Sequence, residues 1–443
     1  MTAVTEPSGT TAVPGPAQIL SDLIRFDTRN PPGNEGPCIQ YIRELLGGAG
    51  YESTLIAKDP ARPNLVCRVK GQGVGPPFLM YGHVDVVPTT GQEWQVPPFE
   101  GRIVDGVLWG RGAIDMKGPL AMMISALLRA RTEGRTLPSD VVFAALSDEE
   151  AGSDYGARFL VEEHPSLFSG VKYGIGEFGA ASIHIGGTRL YPIMIAEKHA
   201  AWLKATIKGS AGHSALLHQG GTTAALAKFL LGLDRARLPV HVTPAARIMI
   251  RALAKALPLP YGPLVGLMQV PALADVVISA MGPTGRVLRP ILHNSVNATI
   301  IRGGDKVNVV PPEVDVLLDC RLLPGFSVGD AVAEIRAATG IEASFEVLRD
   351  EPDHGEPDLG LYETLAGVLA ECDPDGKSIP MLFPAITDGR WFSKLGIQTY
   401  GFTPMNMPPD LPFTGVVHGA DERVPVEALS FGADAIYKLL LRL

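Results

Sequence analysis

Apolar residues recur at helical spacing over Ala17–Arg25 and Gly36–Leu46. The polar, proline-rich stretch Asn30-Pro31-Pro32-Gly33-Asn34 separates them, so two helices joined by a loop are expected. Short unbroken apolar runs then take over. Asn64–Val69 reads as a strand, and Phe78-Leu79-Met80-Tyr81 as another that runs into Gly82-His83-Val84-Asp85. Asp140–Leu146 reads as a third, ending at Ser147-Asp148-Glu149-Glu150. Between the last two, Pro119 opens a helix that reaches about Arg131 and stops at Gly134. Proline is tolerated in a first turn because its missing N–H would have no intrahelical partner there. Strand, helix, strand with ionisable residues at the strand ends is the pattern of an open α/β sheet, which binds ligands beyond the carboxyl ends of its strands.

From about Lys198 the texture changes. Ala201–Lys208, Ser295–Ile301, Val314–Leu318 and Ala343–Leu348 read as strands, and Thr222–Arg235 and Val328–Thr339 as helices. The α/β texture returns through Gln398–Phe402 and a closing helix, Val426–Leu441. The expected organisation is one domain over residues 17–197 and 350–443, with a mixed α+β domain, residues 198–349, set into it. Residues 236–290 form a Pro-interrupted apolar insertion within the second domain. One part of it, Ala256–Ala274, carries no charge and has the length of a membrane span. Its prolines and glycines would strand backbone groups in lipid, so no span is expected. Residues 1–16 lack the basic and apolar regions of a signal peptide and read as a disordered leader.

Composition narrows the class. Of 443 residues, 46% are apolar and 19% charged, which excludes a disordered or fibrous chain. Lys and Arg total 38 against 47 Asp and Glu, a net charge of −9 with no basic cluster, so nucleic acid is not an expected partner. Cys38, Cys67, Cys320 and Cys372 are too scattered for a disulfide framework or a cysteine zinc site, and fit free thiols in a reducing cytoplasm.

The candidate chemistry lies at the strand ends of the first domain. His83 and Asp85 are two apart, on one side of a continuing strand. A ligating histidine commonly donates its second N–H to a carboxylate. Asp115, in Gly110-Arg-Gly-Ala-Ile-Asp115-Met-Lys-Gly118, precedes a helix among glycines that allow close backbone approach. It is either a metal ligand or a carboxylate favoured by the helix dipole. Asp148-Glu149-Glu150 is either a solvated loop or a set of acids gathered round a divalent cation. Glu177 and His418 come later in the chain. Two histidines, several carboxylates and no thiolate suit zinc, cobalt or manganese, and a two-metal centre fits such a set. Glu149, beside the candidate ligand Glu150, suits an acid that moves protons from outside the ligand set.

The segments His83-Val-Asp85-Val-Val-Pro88, Gly110–Gly118, Asp148-Glu-Glu-Ala-Gly152 and His418-Gly-Ala-Asp-Glu422 resemble, in order and spacing, the motifs of one metallopeptidase family. It includes aminoacylase, carboxypeptidase G, acetylornithine deacetylase and succinyl-diaminopimelate desuccinylase. The resemblance implies a di-zinc, aminopeptidase-like α/β catalytic domain with an inserted ferredoxin-like α+β lid that commonly dimerises. Asp115 would bridge two zinc ions, with cobalt or manganese as alternatives. His83 and Glu177 would complete one site, and Glu150 and His418 the other. Glu149 would be the general base and Asp85 would orient His83. The residues after Glu177 (Phe178-Gly-Ala-Ala-Ser182) depart from the family's usual Pro-Thr or Pro-Ser continuation.

In the lid, Gly209-Ser-Ala-Gly-His213-Ser214 resembles the motif whose histidine stabilises the oxyanion in the partner's site of dimeric relatives. The proline that usually follows is missing here. Arg321, in Asp319-Cys320-Arg321, resembles the arginine that grips a substrate carboxylate, a planar partner for its fork; a structural salt bridge is the alternative. Asn297 and Asn308 sit in family-like contexts and would contact substrate, and Thr387-Asp-Gly-Arg390 resembles a loop that follows it. The insertion resembles the longer lids of the carboxypeptidase S and N-acyl-amino-acid hydrolase branch. It would be either an apolar wall for an acyl chain or extra lid core and dimer surface. The expected activity is metal-dependent hydrolysis of an amide bond in a small substrate with a free carboxylate, a dipeptide or an N-acyl amino acid. Acetylornithine- or succinyl-diaminopimelate-type deacylation is the alternative, and a non-catalytic carboxylate binder a remote one.

Overall fold

The computed structural model describes residues 13–216, 220–235, 238–282, 285, 288–411 and 413–443. Residues 1–12 of the expected leader lie outside them. The chain divides into one unit of Met1–Ile183, Gly367–Pro374 and Phe402–Leu443, and a second of His184–Ala366 and Asp375–Gly401.

In the first unit, β1 (Ser53–Ile56), β2 (Asn64–Val69), β3 (Phe78–His83), β4 (Val141–Leu146) and β5 (Tyr173–Gly176) lie in the order β1-β2-β4-β3-β5. β3 runs parallel to both β4 and β5, whereas β1–β2 and β2–β4 are antiparallel. Every residue of β3 and β4 is buried. Strands covered on both faces have no polar side to present, which is why these two read as continuous apolar runs. The register pairs His83 with Leu146, so the His83–Asp85 and Ser147–Glu150 segments leave the sheet side by side.

Helix α2 (Lys117–Thr132) packs on β3, on α1 (Pro16–Ile24) and on the closing helix Val426–Leu440. Neighbours on several sides make it apolar almost all round. Lys117 is fully buried; its Nζ donates to the Leu23 and Phe26 carbonyls at 3.1 and 2.8 Å, and burial lowers its pKa. A Cβ added to Gly118 would lie 2.1 Å from the Ala113 carbonyl oxygen. The turn carrying Asp115 into α2 therefore closes only with glycine there. A small sheet of Arg102–Val104, Val107–Trp109 and Arg423–Pro425 pairs Arg423 with Trp109, which brings the chain just after His418 beside the chain just before Asp115.

The second unit holds β6 (Thr188–Glu197), β7 (His199–Lys208), β8 (Ser295–Arg302), β9 (Glu313–Leu322), β10 (Ser344–Asp350), β11 (Lys377–Phe383) and β12 (Gln398–Gly401). Its main helices are α3 (Thr222–Arg235), α4 (Pro244–Ala256) and α5 (Val328–Thr339). The succession β7-α3-β8-β9-α5-β10 folds into an antiparallel sheet of order β8-β9-β7-β10, the ferredoxin-like arrangement. Leu203, Ala205, Ile207, Val316 and Leu318 meet Phe229 of α3 and Ile335 of α5 in its core. Along β9 burial alternates, so Asp315, Asp319 and Arg321 lie on the face away from that core.

The apolar insertion supplies α4 and two short helices, Tyr261–Gly266 and Pro271–Ala280. α4 runs along β11, where Lys377 Nζ donates to the Ala256 carbonyl at 2.9 Å and Met249, Ile250 and Leu253 are buried. This much of the insertion is core of the second unit. Leu259, Tyr261, Leu267, Val270, Leu273 and Val276 stay exposed. Among the described residues no helix is long and apolar enough to cross a membrane.

Candidate active site

Five segments of the first unit converge on one cluster, buried except at the half-exposed His418. His83 is the last residue of β3, Asp115 sits in the turn before α2, Glu149 and Glu150 follow β4, and Glu177 follows β5. His418 arrives from the C-terminal segment with a left-handed backbone, φ 59°. Asp115 lies between the two histidines: its Oδ1 is 3.2 Å from His83 Nε2 and its Oδ2 3.1 Å from His418 Nε2. Glu177 Oε1 is 3.7 Å from His83 Nε2, and Glu150 Oε1 is 3.4 Å from His418 Nε2. Ligand atoms of His83, Asp115 and Glu150 all lie within 4.8 Å of one another, as do those of His83, Glu149 and Glu177.

The turns that carry these groups are held by other carboxylates. The His83 ring contacts Asp85 through the backbone carbonyl, 2.9 Å from Nδ1, while the Asp85 carboxylate stands 3.5 Å away. A proton on Nδ1 leaves Nε2 as the nitrogen that faces the cluster. The Asp85 carboxylate instead accepts the backbone N–H groups of Glu149 and Glu150, both at 3.1 Å. Glu422, fully buried, accepts the N–H groups of Gly112, Ile114 and Asp115 and an Arg111 Nη1 bond of 2.7 Å. The sequence reading gives Glu422 no role, although its place four residues after His418 is a usable signal.

The electrostatics are those of a site rich in acid. Burial opposes charge on His83, but Asp115, Asp85 and Glu177 outweigh it and hold its pKa well above the ordinary imidazole value. Asp115 and then Glu150 raise His418 to about 10. Burial, and after it the Asp115 charge, push Glu177 and Glu150 above the usual carboxylate range. Against its own burial, His418 and His83 hold Asp115 well below that range. Glu150 Oε1 and Glu177 Oε2 are buried and accept no hydrogen bond. Acceptors left this way are costly unless a cation or proton reaches them, and a His/carboxylate set without thiolates is the donor chemistry of a divalent-metal centre.

The family model for Peptidase family M20/M25/M40 matches residues 79–442, a span that takes in the whole cluster. The chain belongs to this family. M20 membership makes it a metal-dependent hydrolase of amide bonds. It is similar to the human N-fatty-acyl-amino acid synthase/hydrolase PM20D1, 25% identical over 82% of this chain and 73% of that protein. It is similar also to aminoacylase-1 of Sus scrofa, 24% identical over 95% of this chain and 93% of the other. The solved M20 metallo-carboxypeptidase Sso-CP2 of Sulfolobus solfataricus shares the fold, with a TM-score of 0.66 at 16% identity, covering 95% of this chain and 97% of that one.

The other candidates of this M20 chain lie in the second unit, in two pairs. Arg321 on β9 and Asn297 on β8 come together around Asp319: Asn297 is the cross-strand partner of Asp319, and Arg321 Nε bonds its carboxylate at 3.0 Å. His213 and Asn308 meet in a second place, where His213 pairs with Val309 and Ser214 N–H donates to the Asn308 carbonyl at 3.1 Å. His213 Nδ1 accepts the Ala215 N–H, and its side chain is exposed. Arg390 of the Thr387–Arg390 loop is buried and paired with Glu351 at 2.9 Å.

Proposed function

We propose that the chain hydrolyses N-acyl amino acids with two divalent ions, zinc first and cobalt or manganese as alternatives. The observation that carries this is Asp115, whose two oxygens each face a different histidine while Glu150 Oε1 and Glu177 Oε2 beside them accept no hydrogen bond. His83 and Glu177 would hold one ion and Glu150 and His418 the other, with Asp115 placed to serve both. Bound there, such a pair supplies the acidity that makes water a nucleophile near neutral pH and polarises the amide carbonyl. Glu149 takes the proton from the attacking water and gives it to the leaving nitrogen, for which its place beside the ligands is suited. Asp85 fixes the turn that aims Glu149 and, through its carbonyl, the His83 ring.

In the same reading residues 17–197 and 350–443 make the catalytic domain and 198–349 the lid. Arg321 holds the free carboxylate of the substrate, with Asp319 taking its Nε edge, and Asn297 and Asn308 add contacts. His213 stabilises the oxyanion, in the partner's site if the lid forms a homodimer. Four free thiols fit a cytoplasmic enzyme. The acyl amino acid is favoured over a dipeptide because the sequence relatives named above are a fatty-acyl-amino acid hydrolase and an aminoacylase.

The test is a hydrolysis panel of N-acetyl and N-lauroyl amino acids, dipeptides, acetylornithine and succinyl-diaminopimelate, run with chelator and with zinc, cobalt or manganese restored. The expected result is metal-restored turnover, strongest on the N-acyl amino acids. Turnover confined to acetylornithine or succinyl-diaminopimelate would overturn the substrate assignment, and no metal uptake would overturn the site.

A further inference from the structure

The three acids of the Asp148-Glu149-Glu150 turn do not face the same way. Asp148, only 2% exposed, turns from the cluster into a buried polar network. Its Oδ1 is 2.9 Å from Arg62 Nη2 and accepts the Asn30 side-chain amide at 2.9 Å, while its Oδ2 accepts the Tyr155 N–H at 3.1 Å. The same Asn30 amide group donates to Asp85 Oδ2 at 2.9 Å. Arg62 also binds Glu35 through Nε and Nη2, its Nη2–Oε1 distance being 2.6 Å, and its guanidinium lies over the Tyr155 ring. Three carboxylates, Glu35, Asp85 and Asp148, thus lie within reach of one guanidinium and one amide, all nine-tenths or more buried.

Local geometry is fitted to this arrangement. Asp148 has a left-handed backbone, φ 70°, which strains a residue with a Cβ unless its surroundings hold it. Gly33, φ +81°, is where Arg62 passes: a Cβ there would lie 2.4 Å from the guanidinium carbon. Arg62 Nη2 faces both Glu35 and Asp148 while Nε adds a second bond to Glu35; a lysine ammonium is a point charge that would lack this paired grip on Glu35.

We propose that Arg62, with Asn30 as its bridge to Asp85, is the positioning residue of the active site. It locks the left-handed turn at Asp148, so that Glu149 and Glu150 point into the cluster and Asp85 keeps hold of their backbone N–H groups. This rests on the metal-site reading above. Partners of ligands that act at one remove change metal affinity by roughly 10–100-fold when removed.

The experiment compares full-length wild type with Arg62→Met, Arg62→Lys and Asn30→Ala. It measures metal affinity by chelator competition, the visible spectrum of the cobalt-loaded protein, kcat and KM at saturating metal, and the melting temperature of the metal-free form. The expected result is a loss of roughly 10–100-fold in metal affinity, a shifted cobalt spectrum and a kcat loss at unchanged KM, with Arg62→Lys recovering part of each. Asn30→Ala should show the same pattern, which keeps the test open if Arg62→Met does not fold. A lower melting temperature with wild-type affinity, spectrum and kcat would make the network merely structural and overturn the proposal. A wild type that binds no metal would instead overturn the site reading on which it rests.

Discussion

Protons and metal ions should compete for this site, and the competition can be sized. His418 is held at about 10 against an ordinary value of 6.5, and His83 is also held well above it. At neutral pH both therefore carry a proton in the metal-free protein, and each must lose it to become a ligand. Linkage gives about tenfold in apparent affinity per pH unit for each proton released. Loading both ions should thus strengthen by at least about a hundredfold in total from pH 7 to pH 8, with two or more protons released per chain, because Glu177 and Glu150 are also held above the usual carboxylate range. The metal-free fold should respond with the opposite sign. A histidine whose folded pKa is raised stabilises fully below its unfolded value, so this contribution is complete below about 6.5 and fades as pH rises toward 10. Chelator competition at several pH values, proton release in weak buffer, and denaturant titration of stripped protein measure the three effects. A metal affinity that is flat from pH 6 to 8, or a stripped protein that gains stability over that range, would refute the argument.

Two further outcomes separate the roles of neighbouring acids. Glu149→Ala should retain both ions and lose roughly 10²–10⁴-fold in kcat, whereas Glu150→Ala should lose metal occupancy, both read by elemental analysis beside turnover; the reverse outcome would mean the assignment is off by one residue. Glu422→Ala strips the buried Arg111 of its counter-charge and leaves three backbone N–H groups without their acceptor. A loss of about 3–5 kcal/mol is expected in urea denaturation, and a loss below about 1 kcal/mol would show that water or Gln92 replaces the carboxylate.

The residues at the ends of β3 and β4 were legible because buried parallel strands leave an unmistakable trace: apolar runs that stop abruptly at His83 and at Asp148. In the second unit His199–Lys208 and Glu313–Leu322 were legible for a different reason, buried and less buried residues alternating along antiparallel strands. What the chain did not disclose was division of labour. Asp148, Glu149 and Glu150 are chemically alike and adjacent, and only the left-handed turn decides which of them faces away. Arg62 and Asn30 are separated from Asp148 by 86 and 118 residues, and a long-range polar contact has no period to betray it. Insertion residues such as Leu253 and Leu259 read alike in sequence, yet one is buried against α4's neighbours and the other is 81% exposed.

The acids of the motifs sort into two groups by what balances them. Asp148 and Glu35 are answered by Arg62, and Glu422 by Arg111. Asp85 spends its carboxylate on backbone N–H groups and the Asn30 amide. These are the acids that hold turns. Asp115, Glu150 and Glu177 face the cluster itself, where their described ion pairs are to the two histidines. Burial and the Asp115 charge raise Glu150 and Glu177, so in the metal-free protein protons on histidine and carboxylate together answer this negative charge. Divalent ions would take over that role and leave the histidines neutral. With one ion bound, a proton on the histidine of the empty position would relieve what charge remains, and the second ion must displace that proton to gain its ligand. A stoichiometry near one at metal excess would count against the two-ion reading.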